Sequence, residues 1–190
     1  PIVSLSDDSY ISYQASGTVD AISYTRTISN DWGTLVLPYS LTLTGDEPYR
    51  LYTISAVSEN ELVLKQLDGE VAAGTPCVVK RKGSEAELTF CNDDAKLNMA
   101  INDLHVGGMN FSGTYWTKDV TNGYIIDKDC FWNVAELMMN KPETVKGAKV
   151  GPFRAWLSGT YANAPAKLSM RIDGSTTGIN AAEALDALND

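Results

Sequence analysis

One histidine, three cysteines, four tryptophans and several acidic turns are the residues of this chain with chemistry to offer. His105 stands alone in INDLHVGG, so any Ser, His and Asp triad would have to run through it, and no GxSxG elbow accompanies it. In that setting it reads as a loop or packing residue. A pair of carboxylates could serve as a glycosidase couple, because their separation is set by the fold and not by spacing in the sequence. With 24 Asp plus Glu available nothing singles out such a pair, and a glycoside hydrolase ranks third among the functional readings. Asn92-Asp93-Asp94, Asp7-Asp8 and Asp127-Lys128-Asp129 are oxygen-rich segments of the kind that hold Ca²⁺. None follows the alternating acidic pattern of an EF-hand, and Asn and Asp form turns in their own right. They read as solvated turns, so no metal site, cofactor or catalytic residue is expected.

Three cysteines cannot all pair within one chain. PCVVK (Pro76 to Lys80) and AELTFC (Ala86 to Cys91) flank the turn-like KGSE, and a hairpin closing about Ser84 would set Cys77 opposite Cys91. A slip of one residue would turn the two to opposite faces. The competing reading, which we prefer, makes both small buried hydrophobes. Tryptophan and the nine tyrosines raise a different possibility, an aromatic platform on which a sugar ring stacks. Trp132 and Trp156 sit inside apolar strands, where alternation supplies them to a core. Trp32 lies in a turn beside Asn30, Asp31 and Gly33. It is the candidate exposed platform, with Asn30 and Asp31 as flanking hydrogen-bonding groups.

The segments that must position these residues read as strand, turn, strand. Tyr24 to Ile28 and Thr34 to Tyr39 form a candidate pair across SNDWG, and Arg50 to Val57 pairs with Glu61 to Leu67 across SEN. Leu67 to Glu70 supplies a reversal, and Pro76 fits a strand start or an edge. Gly123 to Asp127 and Cys130 to Val134 form a hairpin over Lys128-Asp129. In GPFRAWL, alternation sends Phe153, Ala155 and Leu157 to the core and Arg154 and Trp156 to the other face. Leu168, Met170 and Ile172 form the buried side of a half-buried strand. Only Ile179 to Leu188 looks helical, with Asn180 as cap and Glu183 three residues on. The expected architecture is all-β: an antiparallel two-sheet β-sandwich, or a related barrel, over residues 1–174, with a short C-terminal helix in a tail over 175–190.

Composition narrows the partners. At 190 residues the chain can bury a substantial core, and 44% hydrophobic against 21% charged residues is a globular balance. Fifteen Lys plus Arg against 24 Asp plus Glu leave a net charge of -9, which repels nucleic-acid backbones and anionic membranes. No apolar run approaches the roughly 20 residues that span a bilayer. The chain opens at Pro1 without a signal sequence and reads as a mature or truncated fragment whose targeting signal, if any, lay upstream.

The ordered motifs YTRTIS, WGTLVLPY, AGTPCVVK, FSGTYW, YIIDKDCFWNV, PFRAWL and DGSTTGIN, from Tyr24 to Asn180, resemble a β-rich module. That module recurs near the C-termini of secreted and surface-anchored proteins of Bacteroides-type gut bacteria. The resemblance implies an extracellular or cell-surface accessory domain, adhesin-like and without catalytic residues. The first functional reading is therefore a non-catalytic interaction module of a larger secreted protein, with a glycan or surface protein as partner. The alternative is a carbohydrate-binding module using an exposed aromatic platform.

Overall fold

A computed structural model of the chain describes residues 1–12, 14–139, 142, 147–159 and 164–174. Seventeen strands run in chain order: β1 (Ile2–Leu5), β2 (Gly17–Thr27), β3 (Trp32–Leu35), β4 (Leu41–Leu43), β5 (Tyr49–Ser58), β6 (Glu61–Gln66), β7 (Gly69–Val71), β8 (Cys77–Arg81), β9 (Glu87–Leu97), β10 (Leu104–Val106), β11 (Met109–Thr114), β12 (Lys118–Val120), β13 (Tyr124–Asp127), β14 (Cys130–Asn133), β15 (Ala148–Val150), β16 (Arg154–Ser158) and β17 (Lys167–Ile172). One helix, α1 (Val134–Met138), follows β14. Strands take 56% of the described residues and helix 3%, so the chain is β-rich as its patterning predicts. The helix expected after Gly178 lies outside the described residues.

Ten strands form one sheet in the order β10-β11-β16-β13-β14-β17-β6-β5-β8-β3, and β1-β2-β9 form a second. The large sheet curls. Its terminal strand β3 returns toward β16, where the Thr34 hydroxyl donates to the Ala155 carbonyl and accepts from the Ala155 N–H, both at 3.0 Å. Just beyond, the Val36 N–H donates to the Phe153 carbonyl at 3.0 Å. Two pairings, β1 with β2 and β17 with β6, are parallel, which corrects the wholly antiparallel expectation.

Apolar side chains fall into two main cores. The first joins Ile22 and Tyr24 of β2 and Leu88 and Phe90 of β9 to Leu51 and Val79. The second joins Trp32, Tyr52, Val78, Phe131, Leu157 and Leu168 inside the curled sheet. Neighbours on β5 and β8 thus serve opposite cores, and the unbroken apolar run Cys77-Val78-Val79 follows from burial on both faces. A smaller cluster of Val120, Val134, Val150 and Trp156 packs on the far side of β16.

The two hairpins with short polar turns form where expected: Ser58 pairs with Glu61, and Asp127 with Cys130. Leu168 and Met170 are buried and Lys167 and Ser169 exposed, as alternation requires, whereas Arg171 and Ile172 at the end of the strand are both half-buried. Three other expectations fail because pairing goes to distant strands. β2 pairs with β1 and β9 and β3 with β8, so the Ser29–Gly33 turn passes between sheets and does not close a hairpin. Cys77 lies opposite Leu35 and Cys91 opposite Ser23, so the two belong to different sheets and both are free. Cys77 alone fits the buried-hydrophobe reading, its thiol pushed up to about 12 by burial; Cys91 is exposed. Asn92, Asp93 and Asp94 lie within β9 and not in a turn.

Phe153, Ala155 and Leu157 are all buried, but they divide between the cores. Phe153 joins the first, and Ala155 and Leu157 the second. Trp156, on the opposite face, is buried too, with the Lys118 ammonium 5.7 Å from its ring centroid.

Candidate functional site

Where β3 curls back toward β16, the chain leaves a cavity of about 260 Å³. The end of β2 and the turn after it contribute Arg26, Ile28, Ser29 and Asn30; β3 contributes Trp32, Gly33 and Thr34; β13 contributes Ile125 and Ile126. Lys149, Gly151 and Arg154 complete the opposite wall. The walls are thus mainly polar, with Ile125 and Ile126 set among hydrogen-bond donors.

Strand alternation explains how a cation comes to line this space. Ile22, Tyr24 and Arg26 are the buried positions of the second half of β2, so the phase that buries two core residues buries the arginine with them. Arg26 is 6% exposed. Its guanidinium lies against Gly33, where even a methyl group would come within 2.7 Å of Nη2. Gly151 makes the same accommodation for Arg154, leaving 2.9 Å from a Cβ position to Nη1. Two backbone positions without side chains therefore let two guanidinium groups approach one cavity.

The two arginines differ in their partners. Arg154 makes a bidentate pair with Asp7, both contacts at 3.0 Å and 147 residues apart in sequence. The Tyr24 hydroxyl also donates to Asp7. Burial alone would raise the Asp7 carboxyl, but those hydrogen bonds and the field of Arg154 and Arg26 outweigh it and hold it below its ordinary 3.8. Burial pushes the Tyr24 hydroxyl the other way, up to about 12. For Arg26, burial and then repulsion from Arg154 disfavour the charge, and Tyr24 and Asp7 only partly offset them. An arginine still keeps its proton under such conditions.

Since the folded Asp7 carboxyl titrates below its unfolded value, its ionised form stabilises the fold at neutral pH. That contribution is present above about pH 3.8 and fades as pH falls through the folded value. Asp7→Asn should accordingly lower the urea midpoint at pH 7, and the two proteins should converge as the medium is acidified. Midpoints separated by a constant amount at every pH would contradict this.

The sequence placed Trp32, Asn30 and Asp31 in one exposed platform, and the structure separates them. Trp32 is 3% exposed. Its ring packs 5.7 Å from Tyr52 and beneath the Lys80 ammonium at 5.5 Å, because it opens β3 and pairs with Lys80 instead of hanging in the turn. It meets the cavity from within the core and offers no solvent-facing stacking surface. Asn30 is exposed on the cavity rim. Asp31 is absent from the cavity wall and pairs with Arg81 at 3.1 Å. Asp7, read as half of an acidic turn, is committed to Arg154. His105 is exposed on β10 and bonds Asn110 across the hairpin. Among the described residues no three His, Cys, Asp or Glu side chains converge as metal ligands.

Arg26 was overlooked in the sequence. The signal was there in YTRTI, where an arginine keeps step with the apolar positions of a strand. Comparison of the chain with protein-family models, with curated proteins and with solved structures found no match.

Proposed function

We propose that the chain is a non-catalytic recognition module of a larger extracellular or cell-surface protein, built on a sandwich-like or barrel-like β scaffold. Its ligand is a glycan, held in the cavity between β2, β3, β13 and β16. The cavity is the observation that carries this reading: a concavity with a mainly polar lining, in which several hydrogen-bond donors stand beside the half-exposed Ile125 and Ile126. Its volume lies just under the ~300–1,000 Å³ of sites that enclose whole small molecules, so it suits one sugar residue of a longer chain. Ile125 and Ile126 can meet the apolar face of a sugar ring, and Asn30 and Lys149 can meet its hydroxyls. The surface location is supported by the resemblance of the ordered motifs to the secreted accessory module.

Ser29, exposed on the rim, allows a clean test. The protein should bind one or more members of an immobilised panel of neutral and acidic oligosaccharides. Ser29→Trp should weaken that binding at least ~10-fold, with a stability change within about 0.5 kcal/mol as for most surface substitutions. Binding indifferent to Ser29→Trp would remove the cavity as the site, and silence across the whole panel would overturn the glycan reading.

A further inference from the structure

We infer that the cavity receives an anionic group of its ligand, a carboxylate or a sulfate, with Arg26 as the receiving cation. The inference rests on the recognition reading above and deepens it by naming the ligand's charge.

Charge balance is the first argument. Arg26 and Arg154 both line the cavity, and the carboxylate beside them, Asp7, is engaged face to face with Arg154. Lys149, the third cation on the wall, pairs with Asp119 at 3.1 Å on the exposed side. Arg26 shares the Tyr24 hydroxyl and the field of Asp7 with Arg154, and these only partly offset its charge; it remains a buried cation with no ion pair of its own among the described residues. Buried charges in proteins are as a rule paired, since desolvation is otherwise uncompensated. A neutral water could satisfy an N–H, but only an anion also answers the charge.

Unsatisfied donors are the second argument. Four buried side-chain polar atoms among the described residues have no hydrogen-bond partner, and two of them, Arg26 Nη1 and Trp32 Nε1, belong to residues of this one wall. Buried donors rarely go unpaired without a reason. The planar guanidinium matches carboxylate and sulfate oxygens in bidentate fashion.

The test titrates the whole chain with D-glucuronate, inorganic sulfate and D-glucose at constant ionic strength. It follows the indole N–H resonance of Trp32, assigned by its loss in Trp32→Phe. Glucuronate should shift that resonance and raise Tm, and glucose should do neither at the same concentration. A response to sulfate as well would show that the site reads the anion, and a response to glucuronate alone that it reads an anion borne on a sugar. Either supports the inference. Arg26→Met should weaken the response at least ~10-fold while the ligand-free Tm stays level or rises, because a buried cation that Tyr24 and Asp7 only partly offset, and that Arg154 repels, has been removed. If Arg26→Met does not fold, Gly33→Ala crowds the same guanidinium without deleting it and should also weaken the response. Equal responses to glucose and glucuronate, an anion response untouched by these substitutions, or no anion response into the high-millimolar range would each overturn the inference. Neutral oligosaccharides bound independently of Arg26 would overturn it while leaving the recognition module standing. A response to sulfate with no oligosaccharide bound would do the reverse.

Discussion

Phe153→Ala should lower the unfolding free energy by about 3–5 kcal/mol, the usual cost of deleting a buried aromatic ring. The side chain is fully buried, with its ring centroid 4.5 Å from that of Tyr24 and 6.0 Å from that of Tyr115. It therefore ties the turn before β16 to the first core. The position also carries an unusual backbone, with φ at +58°. Alanine would inherit that strain and glycine would relieve it, by about 1–2 kcal/mol. Phe153→Gly should thus be no less stable than Phe153→Ala, although glycine is ordinarily the worse choice. Urea denaturation of the two variants checks both statements. A loss under about 1 kcal/mol for alanine, or a glycine variant clearly below it, would mean that ring burial or backbone strain has been misjudged.

Gly123→Ala should be comparably damaging, by roughly 3 kcal/mol or more, for a different reason. Gly123 holds φ +89° at the entrance to β13, and a Cβ there would stand 2.1 Å from the Leu157 carbonyl oxygen on β16. The obstacle is backbone, so no rotamer change relieves it. Tyr124 and Leu157 are the residues through which β13 and β16 pair. The substitution must therefore force apart the junction on which the cavity wall is built. Unfolding by urea, compared with the parent, measures the effect, and a change under about 1 kcal/mol would contradict it.

What was legible in the sequence was local. The β5–β6 and β13–β14 hairpins join neighbours through Glu59-Asn60 and Lys128-Asp129, so turn chemistry and alternation sufficed to locate them. The helix α1 could have been found the same way. Asn133 caps it through bonds to the Ala135 and Glu136 N–H groups, with an acidic residue in the first turn, yet the apolar run of Phe131 to Val134 read only as strand. What was not legible was long-range partner choice. Nothing around Gly33 announces that β3 will pair with β8 and not with β2, and with that choice goes the fate of Trp32. A residue that looks like the tip of a turn becomes the first rung of a strand, roofed by Tyr52 and Lys80. Arg26 shows the converse. Its alternation was plain, but reading an inward phase as burial means accepting a buried charge, which ordinary expectation of arginine discourages.

The position of β17 bears on how the chain is made. The last strand described, Lys167–Ile172, does not add to an edge; it slots between β14 and β6, in the middle of the ten-stranded sheet. During synthesis the β3-β8-β5-β6 half and the β10-β11-β16-β13-β14 half each present an open edge where that strand will go. The two cannot be joined there until residue 172 has left the ribosome. Its parallel partner β6 ends about a hundred residues earlier, so the closing step spans a very long loop and is slow by its topology. Until then the nascent chain carries two unpaired strand edges, the surfaces most prone to pair with a neighbouring copy. A chain cut just short of Lys167 would carry the nine other strands of that sheet and yet leave it open between β14 and β6.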